Sequence, residues 1–200
     1  MTTSSEQSRE KQCKGMNLRG NKVRKLVACF VTAMVCVAAL VLVRAADAGK
    51  SIQLTSPAFN EGQGIPAVHA CDGRNISPAL KWSGAPKETR SFALICEDPD
   101  APGGTWVHWV LYGLPASVTE LPENVPPVET PPGVGMHGIN SFGRLGYGGP
   151  CPPPGKPHHY YFRIYALDAD IGLKPKASRA DLDKAMKGHI LAEGKLMGTY

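Results

Sequence analysis

The chain has 200 residues, enough for one sizeable domain, since a domain of about 150 residues buries roughly two thirds of the surface its unfolded chain exposes. Its formal charge of +5 invites a nucleic-acid reading until it is divided along the chain: residues 1–48 hold eight Lys and Arg against three Asp and Glu, and residues 49–200 hold fourteen of each. Binding to nucleic acid needs a basic face on the folded part, so this neutral remainder excludes nucleic acid as a partner.

The first 48 residues read as a leader. A polar stretch rich in Lys and Arg runs to Lys25, eighteen uncharged residues follow from Leu26 to Val43, and Arg44-Ala45-Ala46-Asp47-Ala48 closes the segment. That order is a signal sequence, with Ala46 and Ala48 as the small residues a signal peptidase reads and cleavage between Ala48 and Gly49. The alternative is an uncleaved anchor, because eighteen apolar residues just reach the length that spans hydrocarbon and the flanking basic cluster holds the N-terminus inside. Either way the domain at 49–200 is exported, periplasmic or secreted if cleaved and membrane-attached only through the leader if not. A start at Met16 would shorten the basic region to a more ordinary length. Leu26-Val27-Ala28-Cys29 has the look of a lipoprotein box but stands at the wrong end of the apolar run.

Export sets the redox context. Cys13, Cys29 and Cys36 fall in the leader, leaving Cys71, Cys96 and Cys151 where disulfides are permitted. Cys96 belongs to the apolar run Ser91-Phe92-Ala93-Leu94-Ile95-Cys96 and reads as a core residue of a buried strand. Cys71 and Cys151 both lie in Gly- or Pro-rich loops, and a Cys71–Cys151 bridge is expected.

From residue 49 onward short apolar runs are broken by Pro and Gly, a β pattern. Strands are expected around Ser51–Thr55, Phe92–Glu97, Trp106–Leu111 and Tyr160–Leu167, packed as two sheets. The proline-rich stretch from Pro115 to Gly135 lacks too many backbone donors for a central strand and reads as a surface loop or edge. A helix is expected from Ser178 to Glu193: Ser178 suits an N-cap with Asp181 three residues on, and Leu182, Met186, Ile190 and Leu191 recur at helical spacing. That apolar stripe should pack on a sheet. No internal repeat or low-complexity tract is present.

Two loops concentrate groups that are costly to place near a core. One is Asp98-Pro99-Asp100-Ala101-Pro102 with Trp106-Val107-His108-Trp109 close behind it. The other runs from Gly146 through Gly148-Gly149-Pro150-Cys151-Pro152-Pro153-Pro154 to His158-His159-Tyr160. Carboxylates and imidazoles beside buried strands need partners, prolines fix the backbone that carries them, and glycines allow close approach and expose amides to an anion.

Together these loops resemble the signature motifs of the phosphatidylethanolamine-binding proteins, in their bacterial, Raf kinase inhibitor-like branch. The likeness extends through Ala70-Cys71-Asp72-Gly73-Arg74-Asn75-Ile76-Ser77-Pro78, Trp82 and the ending Gly198-Thr199-Tyr200, and so covers essentially residues 51–200. The resemblance implies a mostly β fold, a sandwich of two antiparallel sheets with C-terminal helical material beside it. It also implies a pocket lined by Asp98, Pro102, His108, Gly149, Pro150 and His158, and a cis peptide at Ala101–Pro102.

Such a pocket suits a phosphate-like anion or a phospholipid headgroup, met by imidazole donors from His108 and His158 and by amides of the Gly149 turn. Asp98 would orient an imidazole or accept from a ligand ammonium. If the imidazoles bind as cations, affinity falls as pH rises through their titration. The other histidines have plainer readings: His69, His137 and His189 are structural or surface residues, and His159 faces away from His158 on its strand. Asp100 is expected to make structural hydrogen bonds, Trp106 and Trp109 to be wall and core, and Trp82 to be core.

Two other functions compete with an anion-binding or regulatory module. Asp98, His108 and His158 contain the elements of a hydrolase, yet no nucleophile is evident: Ser141 lacks a Gly-x-Ser-x-Gly setting and Cys151 is assigned to the bridge. No His-x-x-His or Cys-x-x-Cys spacing supports a metal, and no cofactor is implied. The chain could instead inhibit a protein partner such as a protease, with Pro115–Gly135 as a stiff docking segment.

Overall fold

The computed structural model describes residues 51–200, so the expected leader, its cleavage and its anchoring lie outside the described residues. Eight strands and one α-helix follow in order, with a short 3-10 turn at Ala67–His69 between the first two strands: β1 (Gln53–Thr55), β2 (Leu80–Ser83), β3 (Ser91–Asp98), β4 (Trp106–Pro115), β5 (Glu120–Leu121), β6 (Met136–His137), β7 (His159–Leu167), α1 (Arg179–Met186) and β8 (Ile190–Thr199). They build two antiparallel sheets, a small one in the order β1-β2-β5 and a large one in the order β6-β4-β3-β7-β8.

The continuous apolar run of β3 has a direct cause. Phe92, Leu94 and Cys96 face the small sheet, where they join Leu54, Trp82, Leu111, Phe162 and Leu196. Ala93 and Ile95 face the opposite way, toward Leu182 and Met186 of α1. A strand covered on both faces has no polar face to show, so its sequence does not alternate. The described residues are therefore layered as small sheet, large sheet and helix. Burying Leu182 and Met186 contributes roughly 1.5–3 kcal/mol each, which holds an eight-residue helix too short to persist alone.

The expected helix is half as long as its apolar spacing predicts. Its start is as read: Ser178 and Asp181 form a reciprocal capping box. It stops at Met186, Gly188 turns the chain in the left-handed region at φ 85°, and from Ile190 to Thr199 the backbone pairs with β7. Ala192, Gly194, Leu196 and Gly198 then point inward with a period of two. Two of those four positions are glycines, packed where a side chain would strike Ile52 or Ile65 and Phe59, so the alternation carries little hydrophobic signal. The helix is consequently not the last element, since the final strand completes the large sheet.

Pro115–Gly135 is irregular apart from its first residue, which ends β4, and the two residues of β5. It is not a free tether: Leu121, Val125 and Val134 are buried in the core, and the Val125 amide donates to the Ser77 hydroxyl. Cys71 and Cys151 are bridged, with Cα atoms 5.4 Å apart, while Cys96 is a buried free thiol that burial pushes well above its ordinary pKa.

Candidate functional site

The site forms where β3 ends, β4 begins and β7 begins. Asp98 is the last residue of β3 and is 3% exposed, so its charge must be met locally. One carboxylate oxygen accepts the Asp100 amide at 2.8 Å, closing a tight turn, and the other accepts Nδ1 of His158 at 2.8 Å. The chain then bends through Ala101–Gly104, closed by the Gly104 amide on the Ala101 carbonyl at 3.0 Å. Pro102 occupies the second position of that turn. There a trans proline supplies the required φ, whereas a cis proline belongs at the third position. The peptide bonds of the described residues are all trans, so the expected cis bond at Ala101–Pro102 is corrected on that ground.

His108 reaches the site through an irregularity in β4. Cys96 pairs with Trp109 and Glu97 with Val107, which leaves His108 as the extra residue of a β-bulge. Val107 packs on the helix side and Trp109 in the core between the sheets. The bulge breaks strict alternation, so His108 and its neighbour Trp109 both face the inner side. There the His108 ring meets the edges or faces of Phe142 and Tyr160 at 5.4 and 5.2 Å. Its Nδ1 lies 2.6 Å from the Gly148 carbonyl, while the Gly148 amide donates to the His108 carbonyl. Burial pushes the His108 imidazole below its ordinary pKa, outweighing the opposing pulls of the Gly148 carbonyl and the Asp98 charge.

His158 precedes β7 and is fixed by backbone exchange with Tyr200 in both directions. The next histidine does face away: His159 is exposed and pairs through its amide and Nδ1 with Asp100, which therefore has the structural task expected of it. The phenol of Tyr160, turned inward, is pushed up by burial and by the nearby Asp98 charge.

These residues open onto a cavity of about 600 Å³. Asp98, Pro102, His108 and His158 line it, as do Thr105, Trp106, Ser141, Phe142, Pro152 and Pro153. Gly149 and Pro150 are not among the lining residues. The Gly149 amide is already spent on the Asn75 side chain at 2.7 Å, and the Pro150 carbonyl accepts the Cys71 amide. The glycine turn thus straps two loops together beside the disulfide instead of presenting amides to the cavity, which corrects the role expected for both residues.

Ser141 and Phe142 were not legible as site residues. Asn140-Ser141-Phe142-Gly143 reads as a turn, and the Asn140 side chain does accept the Phe142 and Arg144 amides. Nothing local says that this turn docks on β4, which it does through the Ser141 amide and hydroxyl oxygen on Val107. That hydroxyl oxygen accepts, so its proton remains free to donate. Of the other histidines, His137 accepts from the Trp109 indole at 3.0 Å and pairs with the Val128 carbonyl, His69 pairs with the Ile76 carbonyl, and His189 with Asp168. Among the described residues no group of three or more His, Cys, Asp or Glu is placed to hold a metal ion.

Comparison with known proteins gives this arrangement a lineage. The family model for phosphatidylethanolamine-binding protein matches residues 55–200. This chain belongs to the phosphatidylethanolamine-binding protein family. Its relatives in that family include a UPF0098 protein of Methanothermobacter thermautotrophicus, 50% identical over 149 residues that cover 74% of this chain and 98% of the relative. A UPF0098 protein of Aquifex aeolicus is 47% identical over 154 residues, 76% of this chain and 90% of the relative. Two solved structures of the family superpose with a TM-score of 0.69. The phosphatidylethanolamine-binding protein homolog CT736 from Chlamydia trachomatis is 41% identical and covers 76% of this chain and 97% of its own. YbcL of E. coli, described as a new member of the mammalian family, is 37% identical and covers 74% and 97%.

Proposed function

We propose that this member of the family is exported and that its domain binds a small phosphate-like anion or headgroup in the cavity at His108 and His158, acting as a binding or regulatory module. The observation that carries the reading is the placement of two imidazoles from distant segments on one cavity, one oriented by Asp98 and the other by Gly148. The size of the cavity supports it, since pockets of about 300–1,000 Å³ hold small molecules. The Ser141 hydroxyl adds a donor. Asp98 has both oxygens engaged, which favours its role as an orienting group over direct contact with a ligand ammonium.

Calorimetric titration of the full-length protein with phosphorylethanolamine between about pH 5 and 9 tests the reading. Affinity should fall as pH rises, and His158→Ala should weaken binding at every pH. An affinity that stays flat across the range and ignores the substitution rejects it.

One observation favours a second reading. A histidine whose Nδ1 is held by a carboxylate, with Nε2 left over, is the arrangement of a general base, and Ser141 lines the same cavity. Steady release of p-nitrophenol from its phosphate or acetate ester, lost on His158→Ala, would replace the binder with a hydrolase. A protein partner docked on Pro115–Gly135 has weaker support, because three of the segment's apolar side chains are already used by the core.

A further inference from the structure

Resting on that reading, we infer that the Cys71–Cys151 disulfide is a redox latch on the cavity, so that the domain binds its anion at full strength only once both thiols have been oxidised. An exported chain meets that condition on leaving the reducing compartment in which it is made. The bridge is part of the site. Cys151 lines the cavity together with Pro152 and Pro153, which follow it directly, and its partner sits on a separate segment just after the 3-10 turn at Ala67–His69. Both cysteines are exposed, so a small thiol or a redox protein reaches the sulfurs without unfolding the domain. Cys96, the other thiol of the domain, is buried and takes no part.

What holds this wall changes at Cys151. Up to Pro150 the chain is tied to the Cys71 segment by hydrogen bonds: the Tyr147 hydroxyl donates to the His69 carbonyl at 3.0 Å, the Gly149 amide to the Asn75 side chain at 2.7 Å, and the Cys71 amide to the Pro150 carbonyl at 2.9 Å. Beyond the bridge, Pro152, Pro153, Pro154 and Pro157 have no amide hydrogen. Among the described residues, no hydrogen bond involves residues 152–157. The next fixed point is His158, which exchanges backbone bonds with Tyr200. Pro152 is half-buried and residues 153–157 are exposed, so packing does little in place of those bonds. The disulfide is therefore the tie that keeps Pro152 and Pro153 against the cavity. The domain does not depend on it for a core, since neither cysteine belongs to the apolar clusters on the two faces of the large sheet.

The chemistry is thiol–disulfide exchange. One cysteine thiolate attacks an oxidant of the disulfide class, and the second cysteine displaces that oxidant from the mixed disulfide. One S–S bond forms between Cys71 and Cys151 and one breaks in the oxidant, which leaves as a dithiol carrying the two electrons and both protons. A dithiol reductant runs the same steps backward. In the reduced state the stretch from Cys151 to Pro157 is anchored only at Pro150 and His158, and an anion that needs Pro152 and Pro153 in place must order them as it binds. Ordering a single backbone residue is enough to weaken binding by about tenfold.

The test is calorimetry of the full-length protein with phosphorylethanolamine at one pH in three states: oxidised, reduced with dithiothreitol, and reoxidised. Alkylation and peptide mass mapping report the state of Cys71 and Cys151, and circular dichroism reports the fold. Reduction should weaken binding by about tenfold or more with the β signal unchanged, and reoxidation should restore it. Cys71→Ser combined with Cys151→Ser should bind like the reduced protein. Equal affinity in the oxidised and reduced states, with both thiols verified, overturns this inference and leaves anion binding standing. So does loss of the β signal on reduction, which would make the bridge a staple of the whole fold. If phosphorylethanolamine binds in none of the states, both fail.

Discussion

Glu97 and Asp98 are neighbours at the end of β3, yet they point to opposite faces of the large sheet and meet different partners. Glu97, on the helix side, is held by two guanidiniums: Arg163 Nε at 2.7 Å and Arg179 Nη1 at 2.6 Å, with Arg179 also bound to Asp183 of α1. Burial alone would raise the Glu97 pKa, but the hydrogen bonds from Arg179 and Arg163 bring it below the ordinary carboxylate range. Asp98, on the cavity side, is answered by one imidazole. Arginine stays charged at any physiological pH, so the first arrangement is a brace between helix and sheet. A histidine can change its charge and has a second nitrogen to offer, so the second arrangement can respond to a ligand. The contrast between the two carboxylates lies in the chemistry of the partner more than in burial.

Substitutions at these neighbours should separate accordingly. Asp98→Ala frees the His158 ring and should weaken phosphorylethanolamine binding by about tenfold or more, the scale of losing one hydrogen bond to a charged group. Titration calorimetry would show it. Glu97→Gln should leave that affinity within about twofold while lowering stability by about 2 kcal/mol, because two guanidiniums lose their carboxylate. Urea unfolding followed by circular dichroism would reveal the contrast, and a large loss of affinity at Glu97 would dissolve the distinction.

A pH scan sharpens it further. Burial depresses the pKa of both His108 and His137 in the folded state. Their contribution to stability is therefore fully present above the unfolded value of about 6.5 and is lost as pH falls toward the folded values. The Glu97 contribution, also from a depressed pKa, is lost only below the unfolded glutamate value of about 4.3. Urea midpoints should thus drop in two windows, with His137→Gln flattening part of the upper one. The smallest effect belongs to the exposed pair: His159→Ala should change stability by less than about 0.5 kcal/mol and leave anion affinity intact.

Much of this molecule could be read along the chain. The runs Phe92–Glu97, Trp106–Leu111 and Tyr160–Leu167 announce strands because a buried strand needs apolar, β-branched or aromatic residues wherever it is covered. Ser178 and Asp181 announce the helix start through a purely local hydrogen-bond exchange. The pairing of Cys71 with Cys151 followed from the small number of candidates. Other features were hidden for physical reasons. β8 places Gly194 and Gly198 at inward positions, so the pattern that marks a strand is muted where the neighbouring strands leave no room for side chains. The role of Gly149 was misread because a glycine that admits a ligand and one that admits another loop look identical in sequence.

The amino-acid sequence by itself determined the sheets' main strands, the loops that hold the polar groups and the family to which the chain belongs, since each depends on local patterns or on motifs quoted residue by residue. Only the tertiary structure decided that a bulge turns His108 inward beside Trp109, that the Ser141–Phe142 turn lines the cavity, and that both imidazoles spend their Nδ1 hydrogens on acceptors. Those outcomes depend on contacts between segments up to 60 residues apart, as in the pairing of Asp98 with His158. No local propensity encodes such contacts, because their energy exists only once the strands have met.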